Sequence, residues 1–534
     1  MTALARPPQP QPSVGSGAPG PSADGRISDL AARATTTGDE HEQLEIENPA
    51  TGEPLGTVPK CGTEDIEYAT ARAREAQERW RRSDPGSRQR VLLRFHDLIL
   101  DRQDEILDVI QLESGKARRH AFEEIMDAAM NARYYGRMAE RHLRTHRRRG
   151  AFPLLPATWD HHHPIGVVGV IAPWNYPLTL SISDSVPAIA AGNAVVLKVD
   201  SKTPFSGLVG LALLEEAGLP PDVLQVVTGP GGELGPDLID RVDYIMFTGS
   251  TDLGRKVASR AAERLIPSSM ELGGKNAMIV LGDANLRRTV EGAERAMFSN
   301  AGQLCISMER LLVHESIAPE LIERLSKRIR AMRLGASLSY GDDMGSLISG
   351  DQLKTVRRHI EDAVSKGATV LAGGNPRPDV GPYFQEATLL SDVSEDMTLF
   401  ADETFGPVVS LSTFSTEEEA VRLANRGCYG LNFSLWTRDT GHGRELATRL
   451  HAGTVNINEG YIASWGSFDA PMGGMKDSGL GRRHGAPGIL KYTEQQTVSV
   501  QRLMPLAPPP LVGQRLWARL ITAGLRLLRW AHLR

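Results

Sequence analysis

One cysteine stands where a cysteine does little for packing. Cys305 closes the polar, glycine-containing run Phe298-Ser299-Asn300-Ala301-Gly302-Gln303-Leu304. A lone cysteine most often serves as a small buried hydrophobe; this setting suits a reactive thiol better. Upstream, Met270-Glu271-Leu272-Gly273-Gly274-Lys275-Asn276 puts a carboxylate before paired glycines, whose missing side chains let backbones come close. Further upstream, Ala172-Pro173-Trp174-Asn175-Tyr176-Pro177 sets an amide on a proline-bounded turn. A thiol, a carboxylate base and an amide donor are the parts needed for acyl transfer through a thioester.

The other two cysteines, Cys61 and Cys428, read as packing residues. An odd set of 3 does not make a disulfide framework and points to a reducing compartment, hence the cytoplasm.

These residues need a scaffold. The chain has 534 residues, more than a single core of roughly 250–300 residues accommodates, so two or more domains are expected. After Pro164 come short β-branched runs: Ile165 to Ile171, Ala194 to Leu197, Leu224 to Val227, Tyr244 to Phe247 and Ala277 to Val280. Helical stretches at 205–217 and 252–264 lie between them, and a second alternating region runs from about Arg310 to Val455. Strands alternating with helices predict an α/β fold with parallel, doubly wound sheet. From Thr63 to about Arg144 apolar residues recur at helical spacing, as in Leu92, Leu93, Phe95, Leu98 and Ile99.

The ends differ from the middle. Residues 1–40 are rich in Pro, Gly, Ser, Ala and Thr and read as a disordered leader. The N-terminus lacks the pattern of a signal peptide, and no run of about 18 uncharged apolar residues predicts a membrane span. After the prolines of 505–510 the tail can form an amphipathic helix. Leu516, Leu520, Leu527 and Ala531 share a side with Trp517, Ile521 and Leu528, and Arg515, Arg519, Arg526 and Arg529 gather opposite. Packing on another subunit and peripheral contact with an anionic membrane both fit this pattern. A net charge of −5 speaks against nucleic acid, and the basic stretch from Arg141 to Arg149 reads as a solvated helix end.

Taken in order, the motifs are recognisable. From about residue 44 to 500 the chain resembles the aldehyde dehydrogenase superfamily. Pro173-Trp174-Asn175, Glu271-Leu272-Gly273-Gly274-Lys275, Gly302-Gln303-Leu304-Cys305, Glu403-Thr404-Phe405-Gly406-Pro407 and Gly473-Gly474-Met475-Lys476-Asp477-Ser478-Gly479 all match, as does the separation of Glu271 from Cys305. Within it the sequence is similar to actinobacterial succinate-semialdehyde dehydrogenases of the NADP type, second form. The resemblance implies Cys305 as nucleophile, Glu271 as base for the hydrolytic water, and Asn175 with the Cys305 N–H as oxyanion donors. It places NAD or NADP against Trp174, Lys198, Ser201, Gly229, Gly249, Ser250, Leu272, Glu403 and Phe405, and it requires no metal. A Rossmann-like cofactor domain from 41–145 and 164–273 would precede a catalytic domain from 274–480. A small β arm from 146–163 and 481–503, holding His161-His162-His163 as a strand rather than a metal site, would pair subunits into a homodimer or a dimer of dimers.

Two departures matter. Many NAD-specific relatives carry Lys-Pro-x-Glu where this chain has Lys198-Val199-Asp200-Ser201. Without that Glu, a 2′-phosphate is not repelled, and NADP is favoured; an inward-pointing Asp200 would oppose it. Well-known succinate-semialdehyde dehydrogenases also carry arginines where this chain has Ser183 and Ser299. A succinate-type carboxylate needs a bidentate Arg partner, which Arg310 or another arginine would have to supply. Succinate semialdehyde is the expected substrate, with a longer apolar aldehyde taken at a membrane surface as the alternative.

Overall fold

The β-branched runs become buried parallel strands because helices cover both of their faces. The computed structural model describes residues 23–38, 40–149, 156–501 and 507–532. Strands β1 (Val167–Ile171), β2 (Ala194–Lys198), β3 (Leu224–Val227), β4 (Tyr244–Thr248) and β5 (Ser268–Glu271) form one sheet. Strands β6 (Asn276–Val280), β7 (Met308–His314), β8 (Thr369–Ala372), β9 (Thr388–Ser391), β10 (Val408–Phe414), β11 (Asn432–Trp436) and β12 (Thr454–Ile457) form a second. The short strand β13 (Gly479–Leu480) returns from the second region to pair antiparallel with β5 at the edge of the first sheet, Gly479 opposite Glu271. The sheet orders are β13-β5-β4-β1-β2-β3 and β8-β9-β10-β7-β6-β11-β12. In each, the strand order reverses beside a central strand, and parallel sheets bind ligands at the carboxyl ends of such strands.

Six helices matter below: α1 (Ala23–Ala31), α2 (Arg118–Leu143), α3 (Pro177–Ala190), α4 (Thr251–Glu263), α5 (Gly485–Leu490) and α6 (Gln514–Trp530). The helical reading of 63–144 resolves into four helices, of which α2 is the last. Pro85 starts the second behind the Asp84 cap, and Gly115 ends the third in a left-handed turn with φ 68°.

Three expectations need correction. The leader does not extend to residue 40: α1 lies within it and buries Ile27 and Leu30 in the core of the first sheet's domain. Two large aliphatics at i and i+3 suffice to dock one short helix, a signal diluted by the small residues around them; residues 1–22 lie outside the described residues. The arm is smaller than the expected 481–503. It is a three-stranded antiparallel sheet of His146–Arg148, Pro156–Pro164 and Thr493–Gln501, with His161, His162 and His163 on its middle strand. Residues 481–492 instead turn inward: α5 packs on α2 and α3, and Ile489 and Tyr492 are fully buried. Finally, the tail's apolar face is divided. Trp517 is buried and Ile521, Gly524 and Leu528 are partly covered, whereas Leu516, Leu520, Leu527 and Trp530 stand exposed. Among the described residues no helix is long and apolar enough to cross a membrane.

Candidate active site

The segment leading to Cys305 is wound the wrong way for ordinary residues. Asn300, Ala301 and Gly302 take φ of 51°, 54° and 71° in succession, and left-handed backbone at non-glycine residues persists only where surroundings enforce it. Here the enforcement is visible. Gln303 is fully buried; its side-chain amide donates to the Asn300 carbonyl at 3.0 Å and the Oε1 of the same amide accepts the Ile348 N–H at 2.9 Å. The Asn276 amide holds the Cys305 and Ser307 carbonyls at 2.7 Å each. The thiol is thus delivered by a turn fastened at Asn300, Gln303 and Cys305.

Asn175 follows β1 and precedes α3. Its side-chain amide donates one N–H to the Gln303 carbonyl at 3.0 Å, which fixes the amide plane and leaves the second N–H for a ligand. Its carbonyl accepts from Lys116 at 2.7 Å and from Asn300 at 2.9 Å. Glu271 ends β5 and is 5% exposed. Burial pushes its carboxyl up to about 7, against the pull of Arg483 and Lys491. Burial likewise pushes the Cys305 thiol up to about 12; Glu403 adds to the rise and Arg483 opposes it. Asn175 and Cys305 line one tunnel with Tyr176, Leu180, Tyr461 and Trp465.

The expected cofactor residues gather along the carboxyl ends of the first sheet. Lys198 ends β2, and Ser201 donates to the Gly229 carbonyl at 2.8 Å. The buried Lys198 ammonium donates to no described residue; burial lowers its pKa and Asp200 opposes that. An unpartnered buried cation beside a glycine turn suits a phosphate. The Asp200 carboxylate accepts the Lys202 backbone N–H at 3.0 Å, so it caps its own turn. Gly249 and Ser250 lead into α4, and the Gly249 N–H meets the Glu271 carbonyl at 3.1 Å. At the other end, the Glu403 carboxylate accepts the Gly274 N–H at 2.8 Å, and a side chain on Gly273 would collide with it. Burial raises the Glu403 carboxyl to about 8, helped by Glu309. Trp174 and Phe405 meet edge to face at 5.4 Å. The Phe405 loop is held by Glu309, which pairs with Lys275 at 2.6 Å and accepts the N–H groups of Thr404 and Phe405. Leu272 is buried, and a side chain on Gly254 would strike it. A dinucleotide fits this line: a free cation at one end, a helix start in the middle, and a buried carboxylate with an aromatic wall at the other.

Four residues escaped the sequence reading. Lys116 and Glu124 are a buried ion pair that holds both Asn175 and the first turn of α3. Arg483 and Asp184 are a second, with Nε–Oδ1 at 3.1 Å and Nη2–Oδ2 at 2.5 Å. Arg482-Arg483-His484 follows the glycine-rich ending, but no local spacing ties it to a partner 299 positions away. Arg310, one arginine the sequence offered as a carboxylate anchor, does not line the tunnel. Its guanidinium caps the carbonyls of Lys275, Leu423 and Ala424.

A glycine-turned cysteine, an amide beside it, a buried carboxylate and a dinucleotide line on a parallel sheet define an NAD(P)-dependent aldehyde dehydrogenase. The chain belongs to the aldehyde dehydrogenase family, whose model matches residues 36–498. It is 50% identical over 491 residues to a Mycolicibacterium smegmatis protein whose name gives, provisionally, an NADP(+) succinate-semialdehyde dehydrogenase; the match covers 92% of this chain and 95% of that one. A phenylacetaldehyde dehydrogenase of Pseudomonas fluorescens is 37% identical, covering 86% and 92%. Among solved structures, succinate-semialdehyde dehydrogenase from Burkholderia pseudomallei superposes with a TM-score of 0.83 at 35% identity, covering 86% and 95%.

Proposed function

We propose that this enzyme oxidises succinate semialdehyde to succinate with NADP+. The observation that carries the chemistry is the convergence of Cys305 and Asn175 on one tunnel, with the Glu271 carboxyl buried at the end of β5. In this reading the Cys305 thiol gives its proton to Glu271, which releases it to solvent, and the thiolate attacks the aldehyde carbon. The oxyanion is held by the free N–H of the Asn175 amide and by the Cys305 N–H. The cofactor, when bound, accepts the hydride. The resulting thioester is cleaved by water that Glu271 deprotonates, and the free acid leaves. Trp174, Leu272, Glu403 and Phe405 hold the nicotinamide half, Gly249 and Ser250 the diphosphate, and Lys198, Ser201 and Gly229 the adenosine half. Asp200's turn-capping geometry and the unpartnered Lys198 support NADP over NAD.

The substrate is supported by the name of the Mycolicibacterium smegmatis relative at 50% identity. Initial rates with succinate semialdehyde, hexanal and dodecanal, each with NAD+ and NADP+, test both choices. Succinate semialdehyde with NADP+ should give the highest kcat/KM; a faster hexanal reaction rejects the substrate.

A second reading, an apolar aldehyde taken at a membrane surface, rests on α6. Its exposed stripe of Leu516, Leu520, Leu527 and Trp530 is flanked by Arg515, Arg519 and Arg526, a pattern suited to anionic lipid. Flotation with phosphatidylglycerol vesicles, comparing the full chain with one ending at Leu503, tests it; equal flotation of both rejects it. The arm strands Pro156–Pro164 and Thr493–Gln501 are, in this proposal, the pairing surface of a homo-oligomer.

A further inference from the structure

Resting on succinate semialdehyde as substrate, we infer that Arg483, with Thr179 and His484, forms the subsite for the carboxylate of a short ω-oxo acid. Ser183 and Ser299 leave the tunnel without the two expected arginines. The structure offers a cation from another direction: Arg483 lies in the tunnel wall. Its Nε and Nη2 are held by Asp184, and Nη2 also donates to Thr248 at 2.6 Å. Nη1 donates to no described residue, so one edge of the fork remains for a ligand.

Two further polar groups lack partners here. Thr179 Oγ1 and His484 Nδ1 are buried and make no hydrogen bond, at residues 5% and 4% exposed, and both residues line the same tunnel. Buried polar atoms are seldom left so. His484 is also held at φ 60°, a strained backbone for a non-glycine residue that persists only where the surroundings enforce it.

The charges agree. Lys491 approaches Asp184 at 3.6 Å from behind. Although burial pushes the other way, Arg483 and Lys491 hold Asp184 below the usual carboxylate range. Two cations therefore face Asp184, and the next acid in their reach is Glu271, whose carboxyl burial raises to about 7. The other tunnel acids, Glu123 and Asp127, already have donors in the Tyr176, Tyr461 and Ser183 hydroxyls, and burial raises both to about 7. Arg483 also stands near enough to Cys305 to oppose the rise of its thiol. Because Arg483 and Cys305 line one and the same tunnel, a short ω-oxo acid such as succinate semialdehyde suits the pair.

The test compares kcat/KM for succinate semialdehyde with that for butanal, which has the same carbon count and no carboxylate. Wild-type enzyme should favour the acid. Arg483→Lys, which keeps the charge and loses the fork, should lower the ratio of the two by about 10–100-fold, chiefly through the KM of succinate semialdehyde. Because Arg483 also anchors Asp184, Thr179→Val provides a variant of nearly unchanged volume and should lower the ratio several-fold. A wild-type ratio near one overturns the substrate and this subsite with it. A high wild-type ratio that neither variant lowers overturns the subsite alone.

Discussion

Lys116 and Glu124 lie 2.6 Å apart with neither side chain exposed, and each also holds a piece of the active site. Lys116 donates to the Asn175 carbonyl. The second oxygen of Glu124 accepts the Leu178 and Thr179 N–H groups at 2.9 and 3.0 Å, capping α3. A buried charge robbed of its partner costs about 3–5 kcal/mol. Lys116→Met should therefore unfold at markedly lower denaturant, and the folded remainder should lose kcat as Asn175 loosens. Equilibrium unfolding and single-turnover kinetics check the two effects separately.

Cys305→Ala should abolish oxidation of every aldehyde while leaving cofactor binding intact. Turnover assays and fluorescence titration with NADPH check this; residual catalysis in the variant would reject the thioester route.

Glu271 sets a pH dependence with a definite sign. A base must be ionised to take a proton from water, so hydrolysis of the thioester should quicken as pH rises through about 7. Stability runs the other way. The folded-state pKa lies above the ordinary carboxylate value, so the folded protein keeps a proton that the unfolded chain releases first. The contribution is most favourable below the unfolded pKa and is lost as pH rises to about 7. Glu271→Gln should therefore raise Tm at pH 8 but hardly at pH 4, an effect of up to ~3 kcal/mol. Calorimetry at the two pH values decides it.

Ser201→Glu should move cofactor preference from NADP+ toward NAD+ by on the order of tenfold or more, since it sets a carboxylate against the 2′-phosphate beside Lys198. The ratio of kcat/KM for the two cofactors measures it; an unchanged ratio would mean that Ser201 does not face the ribose.

How much of this was legible beforehand follows from distance along the chain. The strands were readable from β-branched runs, and the aldehyde dehydrogenase assignment from motifs whose residues lie within a few positions of one another. The ion pairs that hold those motifs were not readable: Arg483 meets Asp184 only because α5 folds back on α3, and nothing near either residue announces it. For the same reason the choice between Arg310 and another arginine stayed open in the sequence, since Arg310's donors are consumed by carbonyls of a distant loop. The helix α1 was missed because two large side chains were averaged with a segment of small ones. The tail helix was right as a helix, but which half of its apolar face is covered depends on where it docks.

Gly302 carries one more implication. A Cβ there would lie 2.2 Å from the Gly406 carbonyl oxygen, so the turn that presents the thiol rests directly on the loop that presents Glu403 and Phe405. The two loops share a wall one hydrogen atom thick. On the proposed cofactor placement, Gly302→Ala should therefore raise the KM for cofactor as well as lower kcat, because nucleophile and oxidant would be seated on a single mounting.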